Sequence, residues 1–465
     1  MHAWEMEKQL YQSAVPIILE EDEQEWDLVE EAGQVEDEKI KLLWGSFVPG
    51  SGAPERVIIA GVQAIENRGY IVRNYQEVIR EGLEALQNND MVRLHKLTSK
   101  LYHCMNTAIK DESSTYWSHK QYTNWEEYSN DVSFSQPYEI DVFTKDFEDK
   151  ILAGWRAQLI GGALGTAIEG YTTDNLRKTF GDITDYIRKP NTLNDDITFE
   201  LAFLKAHMEK GDDISSLDIA HEWIGLIPSG WSAEEVALRN IRYGIYPPES
   251  GKFNNPYCEW IGAQMRGAIC GMVAPGNPKE AARLAWIDGE ISHYNNGIIG
   301  EIFNAILVSL SFAKNNIREI VKETINMIPQ KSEYYSVVKF ALDQCMNSSN
   351  WEEAWRPCEK KFEKYNWIHS YPNAAAEIVA LWFGNGDFDE TLHIIAMEGV
   401  DVDCNAAQIM TAIGIIVGEK NISEKWTKPF DDNIVTYVRT MENIDINDLT
   451  SWTVTSCRNV LEAKK

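Results

Sequence analysis

GVDVDCNAAQIMTAIGIIVG, residues 399–418, places two acids at the mouth of a helix that is apolar nearly all round. Asp401 and Asp403 precede the run from Ala406 to Gly418. A helix without a polar face belongs in a core. GEIFNAILVSLSFA (300–313) has the same character and the same expected place. In DDITFELAFLKAHMEK (195–210), Ile197, Leu201, Leu204 and Met208 recur at helical spacing and predict an amphipathic helix. Alternation with a period of two is scarce, so the chain reads as all-α.

The spacing predicts steady helix from FEDKILAGW to about residue 420. Residues 1–150 differ. They read as an acidic helical extension, with 151–465 as the main helical domain. ILEEDEQEWDLVEEAGQVEDEKIKLLW (18–44) is dense in acid and reads as a solvated helical face, with a docking surface as the other reading. GSFVPGSGAPERV (45–57) carries Gly, Ser and Pro and reads as a loop. KDESSTYWSHKQYTNWEEYSNDVSFSQPYEID (110–141) is polar, aromatic and aperiodic, as a long connection or a lid would be.

The formal net charge is −29. That argues against a nucleic-acid or anionic-membrane surface, which would need stripes of Lys and Arg. An anionic small ligand stays compatible, because a bound cation or a helix N-terminus reverses the local sign. Seven scattered cysteines without a CxxC pair fit reduced thiols in a cytoplasmic protein. The N-terminus MHAWEMEKQLYQ lacks the basic flank and apolar core of a signal peptide. No run of about 18 apolar residues suggests a membrane span.

Three clusters carry candidate chemistry. Asn194, Asp195 and Asp196 open one helix, and Asp401 and Asp403 open another. Capping accounts for one acid of each pair. If the pairs converge, four carboxylates repel one another, and a hard divalent cation with oxygen ligands would resolve the repulsion. Both readings stand on spacing. LIGGALGTAIEG (159–170) allows close backbone packing and ends in Glu169. Two more stretches are notable. Arg266 sits within NPYCEWIGAQMRGAICG (255–271), among small and apolar residues, and needs an anionic partner, either a buried acid or a phosphate. His293 is followed by turn chemistry at Asn295, Asn296 and Gly297.

Taken in their order along the chain, from the run ending in Glu169 to Asp401 and Asp403, the five elements resemble the ADP-ribosylglycohydrolase family, over about residues 150–420. The resemblance implies a large all-α orthogonal bundle with a dinuclear Mg²⁺ site at its centre. The family's Thr-Asp-Asp falls on Asn194, Asp195 and Asp196. Its Gly-Asp-Thr-Asp-Thr falls on Val400, Asp401, Val402, Asp403 and Cys404. The implied metal set is therefore Asn194, Asp195, Asp196, Asp401, Asp403 and position 404, for two Mg²⁺ ions with Mn²⁺ also acceptable. Asn194 replaces a Thr but keeps an oxygen donor. Cys404 replaces another, and a thiol is a poor Mg²⁺ ligand; that position is lost or passes to water or Asn405. The chain resembles more closely still a branch with Asn-Asp-Asp, EWIGAQ-like and Asp-x-Asp-Cys-Asn motifs.

The resemblance also implies roles for substrate. Glu169 would be the glutamate beside the substrate, sharing acid–base work with Asp196 or Asp403. Gly262, Gln264 and Arg266 would belong to a phosphate-cradling turn. His293, with Asn296 and Gly297, would belong to the ligand loop. The implied activity is metal-dependent hydrolysis of an N- or O-glycosidic bond of ADP-ribose on an acceptor. The alternatives are an ADP-ribose-binding, immunity or structural protein with little or no turnover. The partner is ADP-ribose or an ADP-ribosylated acceptor, and a monomer is the expected state.

Overall fold

Glycines draw the two central helices together. The helix Lys145–Gly165 runs against the helix Val402–Val417. A Cβ built on Gly161 would stand 2.5 Å from the Ala406 carbonyl oxygen, and one on Gly165 2.2 Å from the Cα of Asp403. On the partner helix, a Cβ at Gly414 would stand 2.5 Å from the Ala153 carbonyl oxygen. The small-residue run of the sequence is thus a backbone-to-backbone seam, and only residues without a side chain fit it. Gly165→Ala is expected to cost about 1–3 kcal/mol, the range for overpacking a close contact. Urea titration checks it; an unchanged midpoint would exclude the seam as a stability determinant.

In this computed structural model, residues 1–25, 27–430 and 432–463 are described. Their twenty-two α-helices are joined by turns and three two-stranded antiparallel pairs, so the chain is all-α. Every residue of the helix Asn296–Ser311 is buried, as its all-round apolar sequence requires. The helix Val402–Val417 is buried up to Ile415. The helix Asp196–Lys210 departs from its expected amphipathic form. Phe199, Glu200, Ala202 and Phe203 are buried together with Ile197, Leu201 and Leu204, while Met208 is only partly so. The reason is placement, since the helix is packed on several sides rather than laid on a surface. Past residue 420 the regular pattern breaks into the strands Asn433–Val435 and Asn443–Asp445. The helix Ile446–Ala463 then returns to the core, where Thr453 Oγ1 accepts from Trp155 Nε1 at 3.0 Å.

The N-terminal part has a core of its own. Ile40, Trp44, Ile58, Val62, Val78, Leu94 and Leu101 pack together, and Trp44 Nε1 donates to Thr98 Oγ1 at 2.7 Å. This unit docks on the larger one through Val57 and Ala64 against Ala233, Val236, Tyr257 and Trp260. The acid-dense helix Asp27–Trp44 buries Ile40 and Trp44 and leaves most of its residues exposed, in line with a solvated face. Trp26, within that acidic stretch, lies outside the described residues.

The segment 110–141 is a fixed strap and not a lid. Tyr116, Tyr122 and Tyr128 are buried. Tyr122 N donates to Asn295 Oδ1 at 2.9 Å, and Tyr128 OH to the Met327 carbonyl at 2.8 Å. Its aromatic residues are its anchors, which a periodicity search does not register. The stretch read as a loop at 45–57 is instead a short hairpin, with Ser46 paired to Glu55 and Phe47 to Pro54.

Candidate functional site

Three segments bring acids to one place. The helix Lys145–Gly165 continues through a turn to Glu169. Asp195 and Asp196 open the helix Asp196–Lys210, and Asp401 and Asp403 open the helix Val402–Val417. Asp196, Asp401 and Asp403 are 1%, 4% and 4% exposed, and Glu169 is 9% exposed. Asp195 and Asn194 are half-buried and form the outer edge.

Capping does not account for these acids. Asp195 and Asp401 occupy the N-cap positions of their helices, yet neither side chain accepts from the helix backbone. Asp196 Oδ2 accepts from Asn194 Nδ2 at 3.2 Å, while Asp196 Oδ1 and Asp401 Oδ1 are buried without a hydrogen-bond partner. Unpartnered buried carboxylate oxygens are costly and call for an explanation.

The acids perturb one another. Burial, then the charge of Asp403, pushes the carboxyl of Asp195 up to about 6. The same two causes hold Asp196 and Asp401 well above the usual carboxylate range. Glu169 is raised well up by burial first and then by Asp403, Asp401 and Asp195, and it shares a hydrogen bond with Asp403. Such a cluster either holds protons or holds a cation.

The donor set fits a hard cation. Ligand atoms of Asp401, Asp403 and Cys404 lie within 4.8 Å of one another. Asp195 and Asp196 come from the facing helix start and feel the Asp403 charge strongly. Oxygen donors dominate, as Mg²⁺ and Mn²⁺ require. The Cys404 thiol is the misfit, and it lies 3.8 Å from Met265 Sδ.

Backbone geometry aims the second acid pair. Gly399 and Val400 both have positive φ, +76° and +59°. A β-branched residue there is strained and persists only where its surroundings enforce it. Val400 N donates to the Tyr171 carbonyl at 3.1 Å, and Gly170 N donates to the Val400 carbonyl at 2.8 Å. These two bonds tie the approach to Asp401 to the segment just after Glu169. Asn373, which the sequence reading missed, accepts from Asp401 N at 3.1 Å and from Asn405 Nδ2 at 2.7 Å. No spacing signal links residues 373 and 401.

The structure turns the expected substrate-binding turn inward. Arg266 is buried, and all five of its N–H donors are used inside the protein. Nε donates to Asp288 Oδ2. Nη1 donates to Glu234 Oε1 at 3.1 Å and to the Gly262 carbonyl at 2.6 Å. Nη2 donates to the Asp288 carbonyl at 3.3 Å and to Ser292 Oγ at 3.0 Å. The guanidinium also lies over the rings of Trp223 and Phe199. Its anionic partners in the structure are therefore the buried acids Asp288 and Glu234, with Glu301 at 3.9 Å.

Neighbouring predicted residues share that role. Gly262 is needed because a Cβ there would stand 1.9 Å from Glu234 Oε1. Gln264 donates to Glu377 Oε1 at 3.0 Å and accepts from Tyr334 OH at 2.9 Å. Asn296 donates to Glu259 Oε1 at 3.0 Å and accepts from Tyr334 N at 3.2 Å. A Cβ on Gly297 would stand 2.4 Å from the Cys258 carbonyl oxygen. His293 is buried beside Ser292 Oγ at 2.8 Å, and only its Nε2 is unpartnered. Burial and the Arg266 charge hold His293 neutral by lowering its pKa well below the usual value. These residues form a buried polar network around Glu234, Glu259 and Glu377. The turn borders the acid cluster through Met265.

The sequence model of the ADP-ribosylglycohydrolase family matches residues 144–458. An uncharacterized protein of Archaeoglobus fulgidus is 25% identical over 286 residues, covering 59% of this chain and 88% of that one. A solved structure described as an ADP-ribosylglycohydrolase-related protein complex is 17% identical, with a TM-score of 0.47, over 68% of this chain and 100% of that one. No described helix is long and apolar enough to cross a membrane.

Proposed function

The chain belongs to the ADP-ribosylglycohydrolase family, and from that premise we propose that it hydrolyses an N- or O-glycosidic bond of ADP-ribose, using divalent cations held by Asp195, Asp196, Asp401 and Asp403. One observation carries the reading. Five acids from three distant segments converge in a buried site where two carboxylate oxygens have no partner. Uncompensated buried charge of that kind is strongly destabilising.

Bound there, Mg²⁺ would supply a Lewis acid and template that orients ribose hydroxyls and the attacking water. Asn194 offers a further oxygen on the outer edge. Glu169 stands at the end of the glycine seam, beside Asp403. A carboxyl with a raised pKa retains a proton for the leaving group and can afterwards take one from water. That is the division of labour expected of carboxyls flanking an oxocarbenium-like transition state. Val400 and Asn373 hold the Asp401 backbone in place and so act as positioning residues. The Arg266 scaffold fixes the wall behind.

A second reading, a binding or structural protein with little turnover, is favoured by Cys404, a buried thiol among the ligand oxygens. Turnover assays separate the two. ADP-ribosyl-arginine and ADP-ribosyl-serine peptides are offered with Mg²⁺ and with EDTA, and free ADP-ribose is measured by chromatography. Release at least about 100-fold faster with Mg²⁺ on either substrate is the expected result, in the range seen when one electrostatic element of a site is removed. Mg²⁺-dependent ADP-ribose binding without release would favour a binding protein, and neither binding nor release would favour a structural one and sink the hydrolase reading.

A further inference from the structure

The hairpin Ser46–Glu55 spans from the turn around Glu169 to the loop that leads to Asp195, and it comes from outside the stretch that matches the family. It touches both walls. On one side, a Cβ on Gly50 would stand 2.2 Å from the Thr166 carbonyl oxygen, and Ser51 O accepts from Tyr171 OH at 3.1 Å. Ala53 is fully buried against Gly170. Thr166, Gly170 and Tyr171 bracket Glu169. On the other side, the Gly50 carbonyl accepts from Arg188 Nη1 at 2.5 Å, in the loop that leads to Asn194 and Asp195. Glu55, at the hairpin's base, is close enough to feel the Asp195 charge, and Ser46 and Trp231 hydrogen-bond its carboxylate.

Glu169, Asp196, Asp401 and Asp403 are nearly sealed behind the half-buried edge of Asn194 and Asp195, so a nucleotide-sized ligand reaches the inner acids only after a movement. The hairpin's tip is the segment built for one. Its backbone bonds are internal, from Val48 N to Ala53 O and from Gly52 N to Val48 O, both at 2.8 Å. The tip is tied to the walls by two side-chain donors, Tyr171 and Arg188. Gly45, Gly50 and Gly52 give it conformational freedom. The strap 110–141 is pinned by buried aromatic rings and cannot serve instead.

We propose that the hairpin Ser46–Glu55 is a lid, supplied by the N-terminal extension, that swings off Thr166–Tyr171 and Arg188 to open the acid cluster and returns to close it. Access to the site is then governed by residues 1–150 and not by the glycohydrolase-like part. The proposal rests on reading the acid cluster as the ligand site.

Cys404, within the cluster, reports opening without any ligand. Its labelling by N-ethylmaleimide is followed by mass spectrometry of its peptide, in the full chain, with Cys404→Ser confirming the assignment. Two variants loosen the lid: Arg188→Ala, and replacement of Val48–Ala53 by Asn-Gly. Labelling of Cys404 is expected to rise roughly tenfold, as for a closed state that loses a charge-assisted bond. Cys258 and Cys270, buried elsewhere, should label at the wild-type rate. Unchanged Cys404 labelling in both folded variants would overturn the lid. Arg188→Ala serves if the shortened hairpin fails to fold. ADP-ribose on-rates, measured on the same proteins by stopped flow, separate the two readings. Faster labelling without ADP-ribose binding in any protein would keep the lid and sink the ligand. Normal binding with unchanged labelling would keep the ligand and sink the lid.

Discussion

Asp401→Asn is expected to melt above wild type in EDTA and below it in Mg²⁺. In EDTA the wild-type cluster crowds raised carboxyls into a buried space, and removing one charge relieves repulsion. In Mg²⁺ the wild type gains binding free energy, about 2.7 kcal/mol at one hundred times the dissociation constant, which is several degrees of melting temperature. The variant loses that gain and, with it, Mg²⁺-dependent binding of ADP-ribose by calorimetry. The pH dependence has a definite sign. A carboxyl raised in the folded state stabilises fully below its unfolded pKa and loses that contribution as pH rises through the folded value. For Asp195 the window runs from 3.8 to about 6. Metal-free protein should therefore weaken across this window. Stabilisation by Mg²⁺ should grow across it, because the cation competes with protons for the same oxygens. A wild-type melting temperature indifferent to Mg²⁺ and EDTA at pH 7 would remove the metal from the proposal.

Arg266→Ala is expected to destabilise the protein by about 3–5 kcal/mol, the usual cost of leaving buried partners of an ion pair uncompensated. Asp288 and Glu234 would lose their hydrogen-bonded cation, and Glu301, 3.9 Å away, its neutralising charge. Urea unfolding measures the loss. The ADP-ribose affinity of the folded fraction should stay within about threefold of wild type, because no donor of Arg266 is free to meet a phosphate. Unaltered stability with a large loss of affinity would restore Arg266 to the ligand and overturn its assignment to the scaffold.

Arg266 also shows how far local pattern reaches. An arginine among small and apolar residues must meet an anion, and that much is readable at residue 266. Which anion is not, because Asp288 and Glu234 lie 22 and 32 residues away along the chain. The helix Asp196–Lys210 shows the same limit. Its helical nature follows from periodicity, while its burial on several sides follows from neighbours that periodicity does not see.

The hairpin at 46–55 is a third case. Gly, Ser and Pro announce a turn, but nothing in them names Thr166, Tyr171 or Arg188 as partners. Asn373 left no signal at all, since it acts through a backbone N–H of Asp401.

By itself the sequence determined what depends on near neighbours. Helical periodicity made the chain all-α, apolar runs marked the buried helices, and two acid pairs stood at helix starts. The family order of the motifs supplied the expectation that the pairs meet. Only the tertiary structure decided that Glu169, Asp195, Asp196, Asp401 and Asp403 converge, that Arg266 spends its donors on buried partners, and that a hairpin of the extension packs on Thr166–Tyr171 and Arg188. The physical reason is the glycine seam. Contact between the helices Lys145–Gly165 and Val402–Val417 depends on two backbones fitting together across more than two hundred residues of chain, and that fit is a property of the packed core.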